Sequence, residues 1–154
     1  IKSYVTKRWN FPVYIDYKLE KSYCISMSHI KSILKKHNLR LTKQRISLGE
    51  LIFSQGNWHF TAEILKNKAQ LKNLNVSQAT VYNVLNDFYD CGLIVKVSHD
   101  DERSWFDTNT NHHYHIFNER DGTLTDLESE KVTFSLPRSL KKEKIKKIDI
   151  LFKI

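Results

Sequence analysis

The sequence predicts an α+β protein, in which a helical region closed by a β-hairpin precedes a small unit of short strands. Three observations predict it. Apolar residues recur at helical spacing from Ile30 to Phe88, punctuated by Ser, Thr, Asn and Gly. After Asn109 the texture changes to short alternating runs. Charge divides the same way: positions 29–97 carry ten Lys/Arg against four Asp/Glu, and positions 98–126 carry two against seven.

The 154 residues make room for one ordinary domain or two small ones. No apolar run approaches the ~18 residues of a membrane span. The opening IKSYVTKRWN lacks the apolar stretch of a secretory signal. Cys24 and Cys91 are too few for a disulfide framework or a four-thiolate zinc site. A globular protein of the cytoplasm, with no membrane partner, is the expectation.

Positions 1–27 are aromatic and polar without a sustained period, and two readings of them stand. Met27, the only methionine, is the physiological start, or the segment is a genuine N-terminal arm. Ser28 is expected to cap a helix over 28–37, with Ile30, Ile33 and Leu34 on one face and Asn38 ending it. Thr42 caps a second over 43–55, whose stripe is Ile46, Ser47, Leu48, Leu51 and Ile52, closed by Gly56. Thr61 caps a third over 62–74, with Ile64, Leu65 and Leu71 inward. Ser77 caps a fourth over 78–91, burying Val81, Val84, Leu85 and Phe88 and ending at Gly92. LIVKV, a polar turn at HDDER and SWF then read as a hairpin. Helices followed by a hairpin in a basic block describe a winged helix-turn-helix at 28–107. The remainder, 108–154, has strands at 112–118, 123–127 and 145–153, and room for a short helix after Pro137.

The basic block points to phosphate, although a charge run is also compatible with a merely solvated face. The fourth helix is the expected reader of DNA, exposing Ser77, Gln78, Thr80, Tyr82 and Asn83 in its first turns. Arg40 and Lys43 are placed to grip backbone or a narrow minor groove. The acidic stretch holds four of the seven histidines, which points instead to a cation. In the run HHYH, strand alternation puts His113 and His115 on one face, with His112 and Tyr114 on the other. Asp107 closes the preceding strand, Asp126 lies on the partner strand, and His59 sits between two helices. These five nitrogen and oxygen ligands suit Fe²⁺ or Mn²⁺ at least as well as Zn²⁺. The alternating Ile145, Ile148, Ile150 and Phe152 are the expected homodimer contact, unless they simply cover their own sheet. Cys91 reads as a buried thiol.

The motifs LRLTKQR, HFTAEIL, VSQATVYNVLNDFYDCGLI, WFDTNTNHHYH and TDLE, in this order and spacing, resemble the ferric uptake regulator family. The resemblance runs from about Ile30 to the end, weakly past Glu128. It implies a dimeric metal-dependent repressor, with a winged helix followed by a C-terminal α/β dimerisation domain. It implies a regulatory metal site at His59, Asp107, His113, His115 and Asp126, lying between the domains and setting the angle of two DNA heads. By the same likeness Tyr82 contacts thymine methyls and Arg40 reaches a minor groove, on a near-palindromic A·T-rich operator. There are two departures. Asn118 and Asp121 occupy the family's first CxxC pair and no second pair follows, so no CxxC structural zinc is expected. The family's extra metal site also looks incomplete, with Tyr114 and Ile148 near its usual ligands.

Asp126, rather than Glu, resembles the peroxide-sensing branch, in which Fe²⁺ and peroxide oxidise the ligand histidines. The missing CxxC and the runs LGELIF and FDTNTNHHYH resemble the iron response regulators, which sense iron or haem. There His112 would be a spare metal or haem ligand; otherwise it is a surface residue. An enzyme, such as a metal-dependent hydrolase, is not expected, since no HExxH, GxSxG or P-loop occurs. A third class, an interaction module that does not bind DNA, predicts no salt-dependent DNA affinity.

Overall fold

The computed structural model describes residues 27–98, 104–137, 145 and 147–154. The proposed N-terminal arm, the HDDER turn and the helix after Pro137 fall largely or wholly outside these residues. The order is α1 (Met27–Lys36), α2 (Lys43–Phe53), β1 (His59–Thr61), α3 (Ala62–Leu71) and α4 (Gln78–Asp90), followed by β2 (Val95–Ser98) and β3 (Ser104–Asp107). Then come β4 (Tyr114–Asn118), β5 (Thr123–Leu127), a 3₁₀ turn at Ser129–Lys131 and β6 (Leu151–Lys153). No helix among the described residues is long and apolar enough to cross a membrane.

Three helices start where short polar side chains satisfy free amides. Thr42 Oγ1 accepts from Arg45 N at 3.2 Å, Thr61 Oγ1 from Ile64 N at 3.2 Å, and Ser77 Oγ from Thr80 N at 3.1 Å. Asn38 (φ 56) and Gly92 (φ 74) turn the chain out of α1 and α4 in the left-handed region. The buried stripes meet in one cluster from Ile30 to Phe106. Gly49 lets α1 and α2 close up, because a Cβ there would stand 3.0 Å from Ile30 Cγ2.

Several expectations need correction. Ser28 lies inside α1 and not before it, and α2, α3 and α4 each stop short of the predicted ends. Leu71 is 84% exposed. Asn73 (φ 55) ends α3 early, Leu74 N bonds to Ala69 O, and Leu74 packs against the core in its place. His59 lies between α2 and α3 as expected, but there it opens a strand the sequence reading does not contain, β1, which adds an edge to the hairpin in the order β1-β3-β2. In the second sheet, ordered β5-β4-β6, the strand begins at Tyr114, so His112 and His113 precede it. The C-terminal strand is confined to Leu151–Lys153 and runs parallel to β4.

Candidate metal centre

Four of the five expected ligands arrive as two cross-strand pairs. His59 faces Asp107 across the β1–β3 ladder, and His115 faces Asp126 across β4–β5. Directly opposite residues hold their Cβ atoms about 4.5–5.5 Å apart, so each ladder delivers an imidazole beside a carboxylate. The fifth, His113, stands one residue ahead of β4. The loop before His59 is fastened to the strand end by Thr108, whose Oγ1 accepts from Trp58 N at 3.1 Å and donates to Gly56 O at 3.0 Å. Trp58 Nε1 donates to Ile52 O at 2.8 Å, and its ring stacks on Phe60.

All five side chains converge. One ligand atom from each of His59, Asp107, His113, His115 and Asp126 lies within 4.8 Å of every other. Nε2 of His59 stands 2.8 Å from Asp126 Oδ1 and 3.6 Å from Asp107 Oδ2. Nε2 of His113 is 2.9 Å from Asp107 Oδ2, and Nε2 of His115 is 3.5 Å from the same oxygen. The two latter nitrogens are 2.9 Å apart. Asp107 is fully buried.

The donor set fits a divalent cation. His59 Nε2 and Asp107 Oδ2 are buried without a hydrogen-bond partner, despite those close approaches. Close contact without hydrogen-bond directionality is what ligand atoms aimed at a shared centre produce. Three nitrogens and two oxygens with no thiolate suit Fe²⁺, Mn²⁺ or Zn²⁺.

Without a cation, protons hold the charge. Burial opposes imidazolium, yet contacts with the Asp107 and Asp126 carboxylates outweigh it, pushing His59 up to about 9 and His113 up to about 10. Burial likewise opposes the carboxylates, but their histidine partners hold Asp107 and Asp126 well below the usual carboxylate range.

His112 is exposed, lies outside the cluster and sets its ring edge-on to Tyr114. Asn118 and Asp121, at the CxxC positions, fasten the β4–β5 turn instead. Asn118 Nδ2 donates to Asp121 Oδ2 at 3.2 Å, and Asp121 Oδ1 accepts from Thr123 N at 3.0 Å. On α4, Tyr82 is 45% exposed and Asn83 is exposed. Gln78 and Tyr82 border an open groove shared with Glu63, Lys66 and Ser104. The hydroxyls of Ser77 and Thr80 bond each other at 2.9 Å. Arg40 and Lys43 are exposed beside α2.

Sequence reasoning missed two tethers. Arg45 pairs with Asp87 and donates to Arg40 O at 2.6 Å, joining α2 to α4. The two partners are 42 positions apart, so no local spacing announces the pair. Asn109 touches both carboxylates of the cluster, and only the neighbouring DTN could have hinted at it.

A family model described as the ferric uptake regulator family matches residues 36–154. The chain is similar to the peroxide-responsive repressor PerR of Staphylococcus epidermidis, at 35% identity over 113 residues, covering 73% of this chain and 69% of that one. It is 32% identical to the PerR of Staphylococcus aureus over 114 residues, covering 74% and 71%. Among solved structures it is similar to the ferric uptake regulator of Vibrio cholerae, with TM-score 0.66 and 23% identity over 80% of this chain and 96% of that one. The manganese-bound regulator of Pseudomonas aeruginosa gives TM-score 0.64 and 21% identity over 81% and 96%. At such identities these structures speak for the fold alone: helices with a winged sheet, then a second small sheet.

Proposed function

The chain belongs to the ferric uptake regulator family, and from that premise we propose a peroxide-responsive repressor that holds Fe²⁺ or Mn²⁺ on His59, Asp107, His113, His115 and Asp126. Members of the family are metal-dependent transcriptional regulators, not enzymes, and act on DNA operators as dimers. The observation that carries the proposal is the convergence of those five ligand atoms within 4.8 Å, with Asp126 as the second carboxylate. The 35% identity to a peroxide-responsive repressor supports the choice of signal.

The ligands come from both parts of the chain. His59 and Asp107 stand on the wing sheet, whereas His113, His115 and Asp126 belong to the second sheet and its approach. In this reading residues 28–107 bind DNA and residues 108–154 dimerise and sense. Gathering the five side chains fixes one angle between the parts, and a ligand set drawn from both supplies the differential affinity that a population shift requires. Ser77, Gln78, Thr80, Tyr82 and Asn83 then meet a major groove, with Arg40 and Lys43 on the backbone or a minor groove. Fe²⁺ held on these five residues would activate peroxide, one oxygen of which would pass to the ring of His59 or His113 while the other leaves as water. An oxidised imidazole is a poorer donor, and its loss releases the angle.

The test is peptide mass spectrometry after anaerobic Fe²⁺ loading and a brief peroxide pulse. One added oxygen on the peptides carrying His59 or His113, absent from an Mn²⁺ control, is the expected result. Intact histidines at demonstrated iron occupancy would overturn peroxide sensing and favour an iron or haem responder.

A further inference from the structure

Asn109 uses three polar groups, two to hold clustered carboxylates and one to brace the backbone beside His113. Its backbone N–H donates to Asp107 Oδ1 at 2.8 Å, and its Nδ2 donates to Asp126 Oδ2 at 2.9 Å. Its Oδ1 accepts from Asn111 N at 3.2 Å, while Asn111 O faces His113 Nδ1 at 2.7 Å. A carbonyl can only accept, so Nδ1 of His113 carries a proton, and a ring that gives up its other proton to a cation would present the lone pair on Nε2 to the cluster. Each carboxylate therefore has one oxygen tied by Asn109. The other, Oδ2 of Asp107 or Oδ1 of Asp126, faces the imidazoles.

We infer that Asn109 is the positioning residue of this centre, tying one oxygen of Asp107 and one of Asp126 so that each offers the other, and bracing Asn111, whose carbonyl faces His113 Nδ1. The inference rests on the reading that the cluster binds a divalent cation. An amide is the chemistry this place demands, since one group must donate to a carboxylate while the other accepts from a backbone N–H. Aspartate there would face Asp126 with like charge, and an apolar side chain would free Asp126 to turn away or chelate through both oxygens. Partners that orient metal ligands typically change affinity by about 10–100-fold when removed.

The experiment is a Zn²⁺ competition titration against a chromophoric chelator, on the full chain and its Asn109→Ala variant, with metal-free thermal melts alongside. The expected result is an affinity loss of about tenfold or more in the variant, with an unchanged melt of the metal-free protein. The same substitution in an Asp126→Ala background should lose much less, because the carboxylate it orients is gone. An equal loss in both backgrounds, or no loss in either, overturns the inference. Should the alanine variant melt early, Asn109→Ser is read in the same two backgrounds, since its hydroxyl is too short to replace the contact with Asp126. Absence of stoichiometric Zn²⁺ uptake by the unsubstituted chain would instead overturn the metal reading itself.

Discussion

The helical part and the C-terminal sheet bury their side chains in different ways. From Ile30 to Phe106 one cluster closes on itself, with Phe60, Leu65, Leu85 and Phe88 fully buried. In the second sheet Tyr114, Phe117 and Leu124 are buried, while Phe152 on β6 is 41% exposed, and outside the strands Phe134 and Ile154 are 48% and 66% exposed. A self-contained core and a sheet with apolar residues facing outward are different devices. In the proposed function the first would hold a surface steady for DNA, and the second would offer apolar area to a further copy of the chain. The candidate metal centre lies where the two meet.

The comparison can be broken or sharpened by five measurements, of decreasing effect. Phe88→Ala should lower stability by about 3–5 kcal/mol in denaturant unfolding, because its cavity opens in a closed core. Phe152→Ala should cost far less, and parity between the two would end the contrast. Asp107→Ala should weaken metal-dependent operator binding by about 100-fold in fluorescence anisotropy, leaving circular dichroism unchanged; an intact metal response would remove Asp107 from the site. Gly49→Ala should cost about 1–3 kcal/mol through the approach to Ile30, read from the same unfolding curves. Phe152→Glu should shift sedimentation toward the monomer while leaving the helical core's melt alone. A dimer that persists would place the contact elsewhere.

The subtlest handle is pH. His59 and His113 rise from 6.5 to about 9 and about 10, so their contribution to metal-free stability is complete below pH 6.5 and is lost as pH climbs through 9 to 10. Asp107 and Asp126 run the other way, contributing above the ordinary carboxylate range and losing their contribution in strong acid. A dication needs neutral imidazoles, so binding at pH 7 should release protons and tighten as pH rises toward 9. Calorimetry in buffers of different ionisation enthalpy reads that release, and zero proton release would contradict the charged imidazoles.

Helices were legible because their signals are local. Thr42, Thr61 and Ser77 each stand three residues before the amide they cap, and the apolar stripes repeat within a turn or two. The five clustered side chains were legible as residue types and through family likeness. What escaped depends on distance along the chain. β1 is three residues long and gains its identity from Trp105, Phe106 and Asp107, more than forty positions later. Leu71 fits the helical period of α3, but a left-handed Asn73 ends the helix and hands its place in the core to Leu74. Arg45 looks like one more basic residue for DNA until α4 brings Asp87 to it.

The paired delivery of ligands makes the centre a gauge of strand register. A slip of one residue between β1 and β3 would set Phe106 or Thr108 opposite His59, and a slip between β4 and β5 would part His115 from Asp126. Neither misaligned chain could gather five donors. A cation held on these five donors would therefore favour, among the pairings a short strand can try, the one in which both ladders are aligned as they are here.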